Sequence, residues 1–162
     1  MATLEDIFNF EFAMQEAAAT AFFNAYSISI RKGLDRGMDP HQFVGVAFTK
    51  GAAQDHHHIF ADGTEVVDGY QGTLTFIVRT LRESEDAVIP VPLHFTLCSY
   101  VRAFMANGAR KINALLNLHA ITSWPVPDSG EMQHPQGRYD FTEIPYSLTF
   151  CVKKTAWPAT LS

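Results

Sequence analysis

The alternation of apolar and polar positions is clearest in residues 69–81. Leu74, Phe76 and Val78 lie on one side of this run, and threonines and an arginine lie on the other. A period of two over this length predicts one long β-strand with an apolar face. The segment that follows can cover that face, because apolar residues recur there at helical spacing. These residues are Leu93, Leu97, Val101, Phe104 and Met105.

Two main helices are predicted. The first begins at Thr3, a residue type that caps helix N-termini, and it ends near Tyr26. Its broad, phenylalanine-rich apolar surface exceeds what one sheet face can cover, which points to contact with another subunit. The second helix runs from about Leu93 to Ala106, where Asn107-Gly108 is a stop signal, and residues 109–116 form a short further helix.

The remaining strands are predicted at residues 42–49, 118–126 and 139–153. Val44, Val46 and Phe48 share one face of the first of them. Pro145, early in the last strand, indicates an edge position or a bulge, because proline cannot donate to a ladder. Three segments rich in glycine, proline and polar residues are predicted loops. They are 31–40, 51–63 and 127–137.

The element order is therefore α-β-β-α-(α)-β-β. It predicts an α+β protein, with a mostly antiparallel sheet and helices packed on one face. The chain of 162 residues is long enough for one domain with a real core, so we expect a single domain over residues 1–162. Residues 154–162 are expected to form a loose C-terminal tail, which Trp157 could anchor.

Composition and charge narrow the class of protein further. The formal charge of −5 argues against a free-standing nucleic-acid binder, which usually carries a basic excess. Two cysteines, Cys98 and Cys151, are too few for a disulfide framework. The N-terminal residues do not read as a secretory signal, and no apolar stretch approaches a membrane span. We therefore expect a protein that folds in a reducing cytosol.

His56-His57-His58 is the most tempting chemical cluster, since histidine is the commonest transition-metal ligand. Adjacent residues in an extended segment point in alternating directions, and no zinc-type spacing surrounds them. A solvated segment with no metal is therefore the preferred interpretation. Cys98 lies at i+4 from His94, which makes a thiolate–imidazole pair geometrically possible. The apolar neighbours favour a buried structural cysteine instead.

Two further sets of charged residues fail to define a site. The carboxylate pairs Glu65 with Asp68 and Asp140 with Glu143 lie near strand ends, where such pairs are common. A basic strip could face nucleic acid or a partner's acidic edge, but acids are interleaved with it. Its members are Arg79, Arg82, Arg102, Arg110 and Lys111. The sequence assigns no catalytic, cofactor-binding or metal-binding residue.

Several segments together resemble the tail terminator, or tail completion, proteins at the neck of tailed bacteriophages. The resemblance covers roughly residues 3–153 and rests on element order and loose patterns. An amphipathic N-terminal helix comes first. The matching segments after it are Asp-Gly-Tyr-Gln-Gly-Thr-Leu-Thr-Phe-Ile-Val-Arg at 68–79, His94 with Val101-Arg102 and Met105, Ile112-Asn113 with Leu116, Leu118-His119-Ala120-Ile121, and Tyr146-Ser147-Leu148-Thr149-Phe150.

The resemblance implies a non-enzymatic structural protein of the virion. Members of this family form a ring, typically sixfold, that caps the tail tube and receives the head-side connector. The implied partners are further copies of the chain, the tail tube protein and connector proteins, with DNA passing through without sequence-specific binding. Two alternatives stay open: another neck or tail-tube component of related fold, or a small metal- or thiol-dependent enzyme.

Overall fold

A computed structural model describes residues 10–32, 44–81, 91–123, 125–127, 132–136 and 139–156. The predicted cap at Thr3, the loop arginine Arg82 and the tail anchor Trp157 lie outside these ranges. Two helices and seven strands are defined within them, followed by a 3-10 turn. They are α1 (Phe10–Tyr26), β1 (Ile30–Lys32), β2 (Val44–Ile59), β3 (Glu65–Leu81), α2 (Val91–Leu115), β4 (His119–Ile121), β5 (Val126–Pro127), β6 (Met132–Gln136), β7 (Tyr139–Lys153) and the turn Lys154–Ala156.

The described strands form one sheet with the order β1-β2-β3-β7-β4, and β5 and β6 also pair with β7. All pairs are antiparallel except β1 with β2. The protein therefore combines helices with a mostly antiparallel sheet, as predicted. The long ladder of β2, β3 and β7 forms its centre, and the short strands lie at its two edges.

Both helices pack on the same face of this sheet. Phe22 of α1 contacts Phe104 of α2 with ring centroids 5.3 Å apart, and Phe76 of β3 lies beneath them both. Leu74, Phe76 and Val78 are fully buried, which confirms the predicted facing of β3. The buried sheet residues on this face come from four strands. They are Val44, Val46, Phe48, Leu74, Phe76, Val78, Ile121, Ile144, Tyr146, Leu148, Phe150 and Val152.

A smaller apolar cluster occupies the other face near the hairpin turn. Val66, Ala120 and Cys151 are buried there, and Phe60 packs against them. Cys151 points away from the helices because its neighbours in β7 belong to the main core. Cys98 and Cys151 are both buried, as the sequence favours for Cys98.

Helix α2 continues without a break through Asn107-Gly108, so the predicted stop is wrong. Glycine inside a helix costs about 1 kcal/mol relative to alanine, so the local sequence does disfavour a helix at this point. Tertiary burial outweighs it, because Phe104 and Met105 before the glycine and Ile112 after it all pack into one core. The predicted short extra helix is therefore the last part of α2.

The predicted end of α1 at Tyr26 is confirmed. Ser27 follows with a φ of 56°, and its N–H donates to the Phe23 carbonyl at 2.7 Å. A left-handed residue directly after a helix is a common way to satisfy its last carbonyl groups. The chain then turns into β1, whose last two residues overlap the segment 31–40 that was predicted as a loop.

Several strand predictions need correction. Strand β2 extends to Ile59 through most of the predicted loop 51–63, and β6 lies within the predicted loop 127–137. The predicted strand 118–126 is instead two short strands, β4 and β5. The element order in the described residues is therefore α-β-β-β-α-β-β-β-β. Pairing with the long β3 and β7 creates these extra strands, and polar sequences give no periodic signal of such pairing.

Pro145 lies in an interior strand, so the predicted edge position is wrong. It pairs with Thr75 of β3 on one side of β7. On the other side, β5 pairs up to Tyr146 and β6 begins at Glu143, which leaves Pro145 at the gap between the two short strands. A residue without an N–H is tolerated at such a gap in the ladder.

Candidate assembly surfaces

Helix α1 is apolar on both of its sides. One side packs into the core through Phe10, Met14 and Phe22, while the opposite side exposes Phe12 at 53% and Phe23 at 48%. The two exposed rings are about three helical turns apart and therefore lie on one stripe. A helix that is apolar all round is normally covered on all sides. The side chains of Phe12, Glu16, Ala19 and Phe23 are called the α1 ridge below.

The charges on and beside the ridge are few. Glu11 and Glu16 are the charged residues of α1 in the described range, and the helix carries no lysine or arginine. Lys32 of β1 pairs with Glu16, and its Nζ lies 5.1 Å from the centroid of the Phe12 ring. The ridge therefore presents two aromatic rings with the acidic side chain of Glu16 between them. Lys32 partly neutralises the charge of Glu16.

A mostly apolar groove of about 270 Å³ separates α2 from β5. Met105 and Ala106 form one wall, and Arg102 is the charged residue at its rim. Pro125 and Pro127 form the other wall, and β7 supplies the floor. The lining residues are Arg102, Met105, Ala106, Pro125, Pro127, Ile144, Pro145 and Tyr146. We call this the α2–β5 groove.

Phe95 of α2 lies outside the groove lining and is 55% exposed. It is two turns before Arg102 on the same flank of α2. Asn113 lies on this flank too, and its Oδ1 accepts the Ile121 N–H at 3.0 Å, which holds the flank against β4. The α2–β5 groove is therefore on the β4–β5 side of the subunit.

The α1 ridge belongs to the opposite side. Helix α1 packs over β1 and β2, at the other end of the strand order. The two helices meet between these sides, where the Tyr26 and Tyr100 rings stack at 4.8 Å. One subunit thus carries an aromatic ridge toward one edge of its sheet and an apolar groove toward the other.

Among the described residues, the outer edge of β2 is also unpaired over most of its length. Strand β1 pairs only with Val44 to Val46, and no other described strand pairs with that edge. The register of β2 is interrupted between Lys50 and Ala53 and again between Gln54 and His57. Such irregularities limit uncontrolled pairing of edge strands, so this edge is available only in short regular pieces.

The histidines at 56–58 lie in β2, not in a loop. His57 Nε2 contacts Glu65 Oε1 at 2.6 Å, and Lys154 Nζ contacts Glu65 Oε2 at 3.2 Å. The hydrogen bond to His57, followed by that to Lys154, lowers the pKa of Glu65. His58 instead packs edge-on against Phe60 with centroids 5.0 Å apart. Their side chains diverge, and no group of three or more potential metal ligands occurs in the described ranges.

The hairpin turn next to these residues is fixed by local hydrogen bonds. Gly63 has a φ of 84°, and its N–H donates to the Phe60 carbonyl at 2.9 Å. The Thr64 N–H donates to Asp62 Oδ1 at 2.9 Å, and hydrogen bonds from Thr64 lower the pKa of Asp62. The connection between β2 and β3 is thus a short, hydrogen-bonded turn rather than the long polar loop that the sequence indicates.

His94 is buried where α2 meets the sheet. Its Nδ1 is 2.8 Å from Thr80 Oγ1, and its Nε2 is 2.7 Å from Thr142 Oγ1. Burial lowers the pKa of His94, against a smaller opposing effect of Asp140. Because threonine hydroxyls hold both ring nitrogens, the imidazole is not positioned as a base for Cys98. The residue links the helix to β3 and β7, a role that sequence spacing does not reveal.

His119 is buried in an aromatic cluster. Its ring stacks on Phe150 at 5.1 Å and meets the edge of Phe10 at 4.8 Å. His119 is therefore a packing residue of the strand. His134 belongs to β6 in the backbone, and its side chain lies outside the described part of the structure.

The charged sets from the sequence do not converge. Asp140 and Glu143 are an odd number of positions apart in β7 and therefore face opposite sides of the sheet. Arg79 points away from the helices, since the buried Val78 and Thr80 beside it face them. Arg102, Arg110 and Lys111 lie on the exposed side of α2. The sheet therefore separates them from Arg79. The side chains of Asp68 and Arg82 lie outside the described residues.

The face of the sheet away from the helices has a shallow groove of about 480 Å³. Its polar lining consists of hydroxyl and amide side chains, with no ionisable residue among the lining positions. They are Thr49, Gln71, Thr73, Ser123, Ser147 and Thr149. Without an acid, a base or an activated nucleophile, this groove offers no group for proton transfer.

The fold and these surfaces define a mixed helix-and-sheet protein with uncovered apolar elements. No family model matches the chain, and no curated protein matches it. Neither helix in the described ranges combines the length and the hydropathy required to cross a bilayer. The sequence did indicate surplus apolar surface on the first helix. It did not indicate the groove, because Pro125 and Pro127 come from one segment and Pro145 from another, and only the pairing of β5 with β7 brings the two segments together.

Proposed function

We propose that this chain is a structural subunit of a tailed-phage virion, a tail terminator or tail completion protein that forms a ring at the head–tail junction. One observation carries the proposal: α1 exposes Phe12 and Phe23 on the side opposite the core. Exposed aromatic rings aligned on one helix face are unfavourable in water and are used by proteins for contacts with partners.

The positions of the surfaces favour a ring over a two-fold dimer. The α1 ridge and the α2–β5 groove lie toward opposite edges of the sheet, so one copy can present its ridge to the groove of the next. Contacts of this head-to-tail kind generate closed rings when the rotation between copies closes. The partly uncovered edge of β2 provides a second surface on the same side as the ridge.

The resemblance supports the position of this ring at the head–tail junction. A helix, a long hairpin, a second helix and a long closing strand occur in this order, with further short strands between them that the predicted order does not contain. The charge of −5 suits a subunit around a DNA passage, since an acidic protein does not retain the genome. The tail tube protein and the head-side connector are the proposed partners, and DNA passes without sequence-specific binding.

The test begins with the mass of the untagged full chain, measured by light scattering near physiological salt. A closed oligomer near six copies, visible as a ring with an axial channel in electron micrographs, is expected. The ring should then bind the ends of purified tail tubes and not their sides. Stacking into long tubes would instead identify a tail-tube component. A monomer at all concentrations that leaves tube ends uncapped would contradict the proposal.

A further inference from the structure

We infer that the α1 ridge of one copy docks along the α2–β5 groove of the next copy, with the two helices antiparallel. This inference rests on the proposed assembly and names its contact. The partner is a second copy of this chain, and the contact is heterologous, because the ridge and the groove are different surfaces.

The spacing of the side chains sets the register. The ridge residues Phe12, Glu16, Ala19 and Phe23 are separated by intervals of four, three and four residues. Read in the opposite direction, Ala106, Arg102, Ser99 and Phe95 on the groove flank of α2 show the same intervals. Helices packed with nearly aligned axes bring such rows into contact turn by turn. An antiparallel alignment therefore matches all four pairs at once.

Each pair in this register is chemically matched. Phe12 meets Ala106, whose small side chain leaves the groove open. Glu16 meets Arg102, the charged residue of the groove lining. Ala19 meets Ser99, two small residues that permit close approach. Phe23 meets Phe95, and both rings are about half exposed in the subunit.

The groove has room for the Phe12 ring. An apolar cavity of about 150 Å³ is sufficient to bind benzene, and the groove measures about 270 Å³. Its walls and floor contain three prolines, Ile144 and Tyr146, which suit an apolar ring. Lys32 does not prevent docking, because a carboxylate such as Glu16 can accept hydrogen bonds from both Lys32 and Arg102.

The experiment exchanges the charges of the central pair. Glu16→Arg and Arg102→Glu each place like charges opposite one another, and each is expected to weaken assembly at least about tenfold. The double variant Glu16→Arg/Arg102→Glu restores the pair with its polarity reversed, so its assembly should return toward that of the wild type. Lys111→Glu is the matched charge-reversal control, since Lys111 is exposed on α2 and belongs neither to the α1 ridge, nor to the α2–β5 groove, nor to the edge of β2. Mass against concentration is measured for all forms, with circular dichroism as the test of folding.

A second measurement tests the register directly. Ala19→Cys/Ser99→Cys is expected to form disulfides between copies on mild oxidation, while Ala19→Cys/Ala114→Cys is not. The inference would be supported if the wild type assembles, the single charge variants stay monomeric and the double variant assembles again. The disulfide should also form only in Ala19→Cys/Ser99→Cys. Unchanged assembly in the single variants would overturn this interface and leave the proposed ring standing. A wild-type chain that stays monomeric would overturn the inference together with the ring in solution.

Discussion

Substitution of Gly72 by alanine tests the packing of the main core. Gly72 lies in β3 beneath the Phe48 ring, and a Cβ at this position would lie 2.2 Å from Phe48 Cζ and 2.6 Å from Cε2. Carbon atoms in proteins pack at about 3.5–4.0 Å. Phe48 is only 3% exposed and packs against Phe150 at 5.9 Å, so its ring has little space in which to move.

The magnitude follows from two opposing effects. Forcing an extra methyl group into a packed core costs about 1–3 kcal/mol. Replacing glycine by alanine within a strand returns about 0.5–1 kcal/mol through lower backbone entropy of the unfolded chain. We therefore expect Gly72→Ala to lower the free energy of unfolding by roughly 1–2 kcal/mol.

A double-mutant cycle with Phe48→Leu isolates the cause. Phe48→Leu alone is expected to cost about 1–2 kcal/mol through the space that it leaves. In that background the clash with the ring is relieved and only the Thr49 carbonyl oxygen, 3.2 Å from the added Cβ, stays close, so the substitution should cost much less than in the wild type. Urea unfolding followed by circular dichroism measures all four forms at one protein concentration, because self-association adds to apparent stability.

Gly63→Ala is the control for the cycle. Gly63 has a φ of 84° and no atom within 4 Å of an added Cβ, so alanine there is unfavourable through backbone strain alone. Its effect should be equal in the presence of Phe48 and of leucine. If Gly72→Ala destabilised the protein equally in both backgrounds, the contact with Phe48 would not be the cause and the reasoning would be refuted.

Three further predictions concern other positions. Because burial lowers the pKa of His94 below the usual 6.5, the unfolded chain binds the extra proton first as pH falls. Stability should therefore be full above pH 6.5 and decline below it, and His94→Gln should show a weaker decline between pH 7.5 and 5.5; equal slopes would contradict this. Cys98→Ala should leave the oligomer mass unchanged and cost only a modest packing penalty, and loss of a measurable turnover in that variant would support a thiol enzyme instead. Ser27→Gly should raise the free energy of unfolding by about 0.5–1 kcal/mol, since Ser27 has a φ of 56°, and a lower thermal midpoint would argue against a left-handed Ser27.

The accuracy of the sequence predictions followed the strength of local periodicity. Strand β7 was predicted at its observed bounds, because it alternates apolar and polar positions over most of its length. Strand β3 was predicted from residue 69 and begins four residues earlier, at Glu65, where the adjacent Val66 and Val67 break the alternation. The extension of β2 through 51–59 was missed. Its glycine, alanines and histidines carry no alternation, and two irregularities break the period of two. Pairing with an already formed β3 holds these residues in a strand.

Candidate site residues were harder to predict than the elements. The i+4 spacing of His94 and Cys98 correctly predicted that they share one helix face. The two nitrogens of the imidazole, however, form hydrogen bonds with two threonines from distant strands. The triple histidine was read as a loop cluster, and strand geometry turns His57 and His58 to different partners. Spacing along the chain reports which residues share a face, and it does not report which distant residue meets them.

By itself the sequence determined the class of fold and the surplus of apolar surface. Alternation fixed the faces of the long strands, helical spacing fixed the buried side of α2, and the phenylalanines of α1 exceeded the needs of one core. Only the tertiary structure decided that α2 continues past Gly108, because burial of Ile112 offsets the local cost of glycine. It alone brought Pro125, Pro127 and Pro145 around one groove, because pairing of β5 with β7 joins segments that are unrelated in sequence. Local patterns act through the backbone within a few residues, whereas surfaces for assembly arise from contacts between distant segments.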